Sequence, residues 1–386
     1  MNLQRVYMQN NPGRLVFGPK SLNELANEIP ANAVPLVITD KGVSKSGILK
    51  KVTDVLEGAG IRHHIFDGIE PDPPLQVIEK AAALYRKNRC TMVIGVGGGS
   101  SIDGAKSVSL MVSHPGDIGE YSRGKVVPGP VAPIYAIPTT AGTGSEVTGL
   151  SVITDTANKV KMVLRGVPYL IPKCVFLDPE LLAFIPPRVA AETGGDALTH
   201  AVECYVSQNS TVITEGLALS AIMLIGKYLR RLVGNPADME AAENMQLGSY
   251  LAGFAFSNGG LGLVHSLAHP VGAHFHLSHG AACSLYLPVV MEFNLLTCPE
   301  KFASIAAALG EDVQGMTARR AAREAVKAVR ELFADVGIPM TFSGLGVKFK
   351  LSPKMVAEAL AAVPTQVNPR RPNEAQITNL FNAPLG

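Results

Sequence analysis

Between residues 34 and 178 the chain alternates two hydrophobic periodicities, and no other feature limits its fold so strongly. Short runs rich in Val and Ile stand at 34–40 (VPLVITD), 63–68 (HHIFDG), 91–97 (TMVIGVG), 132–138 (APIYAIP) and 174–178 (CVFLD). Gly, Pro or Asp bounds each of them, as turn residues bound strands. Helix-period segments lie between, at 47–60 and 74–88; in the second, Val77, Ala81 and Leu84 recur at helical spacing. This alternation predicts a mostly parallel, doubly wound sheet, whose strands are apolar throughout because both faces are covered.

The pattern changes near Pro186 and Pro187. Beyond about residue 188, Ala- and Leu-rich segments dominate at 213–233, 238–256, 302–309, 317–336 and 353–362. A chain of 386 residues exceeds what one core usually serves. The expectation is an α/β N-terminal domain over 1–187 and an all-α C-terminal domain over 188–386.

Composition narrows the function. The net charge is only +2, with no basic or acidic block, so neither nucleic acid nor a membrane surface is an expected partner. The five cysteines are scattered and form no CxxC pair, which argues against a disulfide framework and a thiolate zinc cluster. No apolar signal core opens the sequence, and no apolar run is expected to be long enough to span a bilayer. A cytoplasmic protein is expected.

Two loops carry chemistry. In VIGVGGGSSIDGAKSV (93–108) an apolar strand runs into Gly97, Gly98, Gly99 and Ser100 before helical spacing resumes. Missing Cβ atoms let phosphate oxygens approach the backbone, and a helix N-terminus supplies free N–H groups and a positive dipole end. Asp103 near the helix start also suits that dipole. The loop lacks the lysine and hydroxyl of a Walker A motif, and no strand-end acid lies about twenty residues downstream. Asp40 does end an earlier strand. The second loop, IPTTAGTGSEVT (137–148), again follows a strand and offers Thr139, Thr140, Thr143, Ser145 and Thr148. One such loop is an ordinary turn; two in one parallel sheet point to a nucleotide at the strands' carboxyl ends.

Five of the nine histidines fall between 265 and 279: His265, His269, His274, His276 and His279. Asp196 and His200, four residues apart in GGDALTHAVECYV, share a helix face. They are expected to begin an otherwise apolar helix, and His265 and His269 interrupt another, so these polar groups need partners. A divalent ion held by one carboxylate and several imidazoles satisfies them, with Fe(II) or Zn(II) suited and Ca or Mg not. Spacing alone leaves open which of His274, His276 and His279 completes the set.

LVFGPKSL, LVITDKGV, FDGIEPDPP, GGGSSIDGAK, PTTAGTGSEVT, GGDALTHAVE, GLGLVHSLAHPVG, SHG and NPR together resemble the iron-containing (group III) alcohol dehydrogenases over nearly the whole chain. GLGLVHSLAHPVG is most similar to the lactaldehyde reductase (propanediol oxidoreductase) branch. The resemblance implies a dehydroquinate synthase-like fold, an α/β dinucleotide-binding domain followed by an all-α domain, with a nicotinamide cofactor in the cleft between them. It implies that Gly97, Gly98, Gly99 and Ser100 cradle the pyrophosphate and that Thr139, Thr140, Thr143 and Lys161 contact the cofactor. Asp103 and Val152 fall in the same implied cofactor set, as does Asp72, where relatives often carry Asn. Asp40 is implied beside the adenosine ribose, favouring NAD over NADP. The implied metal ligands are Asp196, His200, His265 and His279, with His269 beside them as a proton relay and His274 and His276 as bystanders. Pro364 stands where relatives often carry cysteine.

The implied activity is reversible hydride transfer between NAD(H) and a primary alcohol, diol or aldehyde. Gly149, Leu150, Val152, Phe254 and Leu261 are the implied pocket. A homodimer is also implied, with LQRVYMQ (3–9) as a candidate exchanged strand. Alternatives are a family reductase for a hydroxy acid or semialdehyde and a non-catalytic nucleotide sensor. Maleylacetate reductase fits less well with a complete ligand set, and dehydroquinate synthase less well without a Lys- and Arg-rich site.

Overall fold

The computed structural model describes residues 8–158 and 160–385, so most of the candidate exchanged strand, residues 3–7, lies outside the described residues. The chain divides into two compact units, Asn10–Ile185 and Pro186–Gly386.

In the first unit the strands are β1 (Arg14–Phe17), β2 (Pro35–Asp40), β3 (His64–Ile69), β4 (Met92–Gly97), β5 (Ile134–Pro138), β6 (Leu150–Asp155), β7 (Val160–Arg165) and β8 (Cys174–Leu177). The α-helices are α1 (Leu25–Glu28), α2 (Lys41–Lys45), α3 (Ile48–Gly58), α4 (Leu75–Lys87) and α5 (Gly99–Ser113). Six strands form one sheet in the order β1-β8-β5-β4-β2-β3, with every neighbouring pair parallel. β6 and β7 form a separate antiparallel hairpin.

Alternate residues of the central strands face opposite sides, as the pleat requires. Leu36, Ile38 and Val93 pack with Ile78 of α4 and with Ala105 and Val108 of α5. Val37, Ile94 and Val96 pack with Ile48, Val52 and Leu56 of α3. The crossovers leaving β2 and β4 therefore cover opposite faces, and the strand order reverses between these neighbours. Their carboxyl ends, at Asp40 and Gly97, form a topological switch point, the place where doubly wound sheets receive ligands.

The second unit comprises α6 (Pro187–Val206), α7 (Val212–Gly234), α8 (Met239–Gly259), α9 (Leu263–Phe275), α10 (His279–Asn294), α11 (Pro299–Ala308), α12 (Ala318–Asp335), α13 (Pro353–Ala361), α14 (Val363–Val367) and α15 (Glu374–Asn382). Two expectations need correction. α6 starts at Pro187, so Asp196 and His200 sit at its middle, not its beginning. The preceding turns carry the ion pair of an exposed Arg188 with Glu192, which interrupts the apolar periodicity there. The absence of a span-length apolar segment is also overturned: α7 meets that criterion by length and composition. It packs against α6 and α8 and buries Ala218, Ile222, Ile225 and Leu229 there, so its apolar content serves the fold.

Candidate active site

At the switch point, Gly97 adopts φ 141°, a backbone region open mainly to glycine. A Cβ there would also stand 2.6 Å from Ser101 Oγ and 3.2 Å from Asp40 Oδ2. Gly98 caps α5 without any side-chain hydrogen bond, so no side chain competes for the helix's leading N–H groups. The second loop meets the first: Thr139 N–H donates to Gly97 O at 3.0 Å, while Thr140 and Thr143 lie against Gly98 and Gly99. Asp40 Oδ1 accepts from the Gly42 and Val43 N–H groups, capping α2, and Oδ2 accepts from Ser101 Oγ at 3.1 Å. Gly97, Gly98, Gly99, Ser100, Thr139, Thr140, Thr143 and Asp40 thus gather at the ends of β2, β4 and β5.

The other expected cofactor residues sit differently. Lys161 donates to Asp72 at 2.7 Å in a partly exposed ion pair. Asp103 is half-buried and accepts from Ser145 Oγ and from Val152 N–H at 3.0 Å. It therefore braces α5 against the second loop and β6. Beside it is a group that sequence reading missed. The buried Lys106 ammonium donates to Thr148 O (2.8 Å), Thr148 Oγ1 (3.3 Å) and Leu150 O (2.7 Å). Burial pushes Lys106 down to about 8 and the nearby Glu146 up to about 7.

The helical unit holds the second cluster. α6, α9 and α10 each present two side chains four residues apart: Asp196 and His200, His265 and His269, His279 and Cys283. Gly280 lets α10 approach α6, because any Cβ there would collide with the Glu192 carbonyl. One donor atom each from Asp196, His200, His265 and His279 lies within 4.8 Å of all the others. Asp196 Oδ1 is 3.7 Å from His200 Nε2 and 3.6 Å from His279 Nε2. Geometry thus selects His279 from the three candidates that spacing left open. His269 lies beside the quartet, its ring centroid 5.5 Å from that of His279, and is exposed. His274 and His276 are exposed as well; His276 closes α9 in the left-handed region, φ 54°.

Glu203 escaped the sequence reading although it follows His200 by three residues on the same helix face. Its carboxylate accepts from Gly262 N–H (2.8 Å), Val264 N–H and His265 Nδ1–H (2.6 Å). His265 Nε2 is consequently the atom turned toward the quartet. Burial pushes Asp196 up to about 8 and His265 down to about 3. Asp196 Oδ1 is buried and has no hydrogen-bond partner. A cation among these donors would give that oxygen its partner and return Asp196 to carboxylate. One carboxylate and three imidazoles suit a transition-metal dication.

The family profile for iron-containing alcohol dehydrogenases matches residues 12–179, and that for the family's C-terminal region matches residues 190–385. The chain belongs to the iron-containing alcohol dehydrogenase family and is an oxidoreductase. It is 39% identical to a 1,3-propanediol dehydrogenase of Klebsiella pneumoniae over 95% of each chain. It is 40% identical to an NAD-dependent methanol dehydrogenase of Bacillus methanolicus, over 87% of this chain and 88% of that one. Identity to a lactaldehyde reductase of Escherichia coli strain K12 is 37%, over 95% of this chain and 96% of that one. Among solved structures, a 1,3-propanediol oxidoreductase superposes with a TM-score of 0.95 at 37% identity, covering 99% of this chain and all of that one.

Proposed function

We propose that this chain is an NAD(H)-dependent, metal-requiring oxidoreductase that interconverts short primary alcohols or diols with their aldehydes. The observation that carries this reading is the Asp196–His200–His265–His279 quartet, whose buried Asp196 oxygen has no hydrogen-bond partner. NAD supplies the hydride acceptor, and the divalent ion supplies Lewis acidity toward the substrate oxygen.

The chain's own residues do the rest. Gly97 to Ser100 and the N-terminus of α5 bind the anionic pyrophosphate; Thr139, Thr140 and Thr143 orient the cofactor. Asp40 accepts a hydrogen bond from a ribose hydroxyl and repels a 2′-phosphate, giving preference to NAD. Glu203 holds His265 in the tautomer that presents Nε2. His269, exposed beside the quartet, passes the hydroxyl proton to solvent. Iron(II) is the assigned ion, with zinc(II) accepted by the same donors, in a cytoplasmic homodimer.

The test is NADH oxidation by anaerobically purified protein, with iron(II) or zinc(II) added, across lactaldehyde, propanal, butanal and succinic semialdehyde. Metal-dependent turnover, faster with NADH than with NADPH, is expected. Tight NAD binding without turnover on any aldehyde would overturn the reading in favour of a nucleotide sensor.

A further inference from the structure

Three members of the quartet are buried within helices: Asp196 and His200 at the middle of α6, and His265 on α9 with Glu203 behind it. His279 differs on both counts. It is the first residue of α10, and its side chain is 43% exposed. Its place among the other three therefore depends on what holds the start of α10.

Glu192 of α6 holds that start at two points. Its Oε2 accepts from Ser278 Oγ at 2.6 Å, and its carbonyl lies where a Cβ on Gly280 would collide. The residues on either side of His279 thus rest on one residue of α6. Ser278 Oγ also caps α10 by accepting from Ala281 N–H at 3.3 Å. Arg188 Nε, one turn earlier on α6, donates to Glu192 Oε1 at 2.6 Å and fixes the direction of the carboxylate. Glu192 is half-buried and Ser278 exposed, so water can compete for this hydrogen bond. The contact is strong enough to orient the turn, because its acceptor is ionised, and accessible enough to open.

We propose that Glu192 and Ser278 form a latch that positions His279 in the quartet and sets how fast the bound ion is released. The inference rests on the metal reading proposed above. With Asp196, His200 and His265 buried, the exposed side of the site is the one that His279 occupies. Release follows when the first turn of α10 lifts from α6 and takes the His279 imidazole with it. Glu192 is a positioning residue, acting on the site through Ser278 and His279.

The experiment loads the full chain, Ser278→Asp, Glu192→Ala and the double variant Ser278→Asp/Glu192→Gln with cobalt(II), adds excess EDTA, and follows the loss of the visible cobalt bands. Aspartate keeps the cap on α10 but sets a second carboxylate against Glu192. Added negative charge would by itself slow the loss of a cation, so faster release reads the latch. Release should be roughly tenfold faster in Ser278→Asp and in Glu192→Ala, the low end of what a residue behind a metal ligand controls. The double variant keeps the total charge and restores a donor–acceptor pair, and its rate should return to that of the unaltered chain. The bands of loaded cobalt should be alike in all four proteins. Equal release rates throughout, or a double variant as fast as Ser278→Asp, would overturn the latch and leave the quartet standing. No cobalt bound by any of the four proteins would overturn the quartet as well.

Discussion

Glu203 accepts the Nδ1–H of His265 at 2.6 Å while the same carboxylate takes the N–H groups of Gly262 and Val264 at the start of α9. One buried side chain thus fixes both the position of that helix start and the tautomer of the imidazole on it. Replacing it separates the two effects. Glu203→Ala is expected to lower metal affinity 10- to 100-fold, the range typical for a carboxylate behind a ligating histidine. Glu203→Gln should lose less, because its amide oxygen still accepts the Nδ1–H. Metal content after dialysis and turnover per bound metal check this; equal metal retention in all three proteins would refute it.

His265→Ala and His279→Ala should both abolish metal-dependent turnover with circular dichroism unchanged, but they should differ in stability. His265 is buried, and its removal takes one of Glu203's three hydrogen-bond donors away inside the core, a cost of about 1–3 kcal/mol. The His279 side chain is 43% exposed, so its loss should cost little. Urea unfolding with metal removed reads the difference. Normal activity in metal-stripped variants would reject the site altogether.

Asp40 has two tasks that one substitution can part. Its charge is the proposed barrier to a 2′-phosphate, and its Oδ1 caps α2. Asp40→Asn keeps an accepting oxygen, so a cap worth about 1 kcal/mol is retained. The ratio of kcat/KM for NADPH over NADH should rise at least about tenfold, which corresponds to about 1.4 kcal/mol. Steady-state kinetics with both cofactors decide. An unchanged ratio would remove Asp40 from the specificity argument.

Lys106 predicts a pH dependence. Its ammonium is buried, and burial lowers its pKa from 10.5 to about 8 in the folded chain. Between pH 8 and 10.5 the unfolded chain binds the extra proton, so the stability contribution of this group rises with pH. It is fully present above 10.5 and lost as pH falls through 8. Glu146 acts in the opposite sense lower down. With its pKa raised from 4.5 to about 7, its contribution is present below 4.5 and lost as pH rises through 7. Lys106→Met should therefore remove a rise on the order of 2–3 kcal/mol between pH 8 and 10.5, seen as the difference between the two proteins' urea unfolding curves. Parallel curves over that range would contradict the assignment.

Local signals carried much of the fold and part of the site. Four of the five apolar runs became β2, β4, β5 and β8 because a buried parallel strand needs apolar residues on both faces, a demand legible in each segment by itself, while the run at 63–68 became the partly exposed edge strand β3. β1, four residues at the sheet edge, and the β6–β7 hairpin were not read as strands. Their pairing depends on a neighbour more than on their own pattern, since β propensity is largely context. The glycine loop and the four-residue Asp196–His200 spacing were equally plain, because backbone access and helix periodicity are written into consecutive residues.

What the sequence by itself determined was which segments become strands and helices, and where polar residues interrupt them. Only the tertiary structure decided which of those interruptions meet. It chose His279 over His274 and His276, set Glu203 behind His265, and buried Lys106 against the carbonyls of Thr148 in the second loop and Leu150 of β6. The physical reason is distance along the chain. Asp196 and His279 are 83 positions apart in sequence, and nothing local to either one specifies the close packing of α6 on α10 at Gly280 that brings them within 3.6 Å.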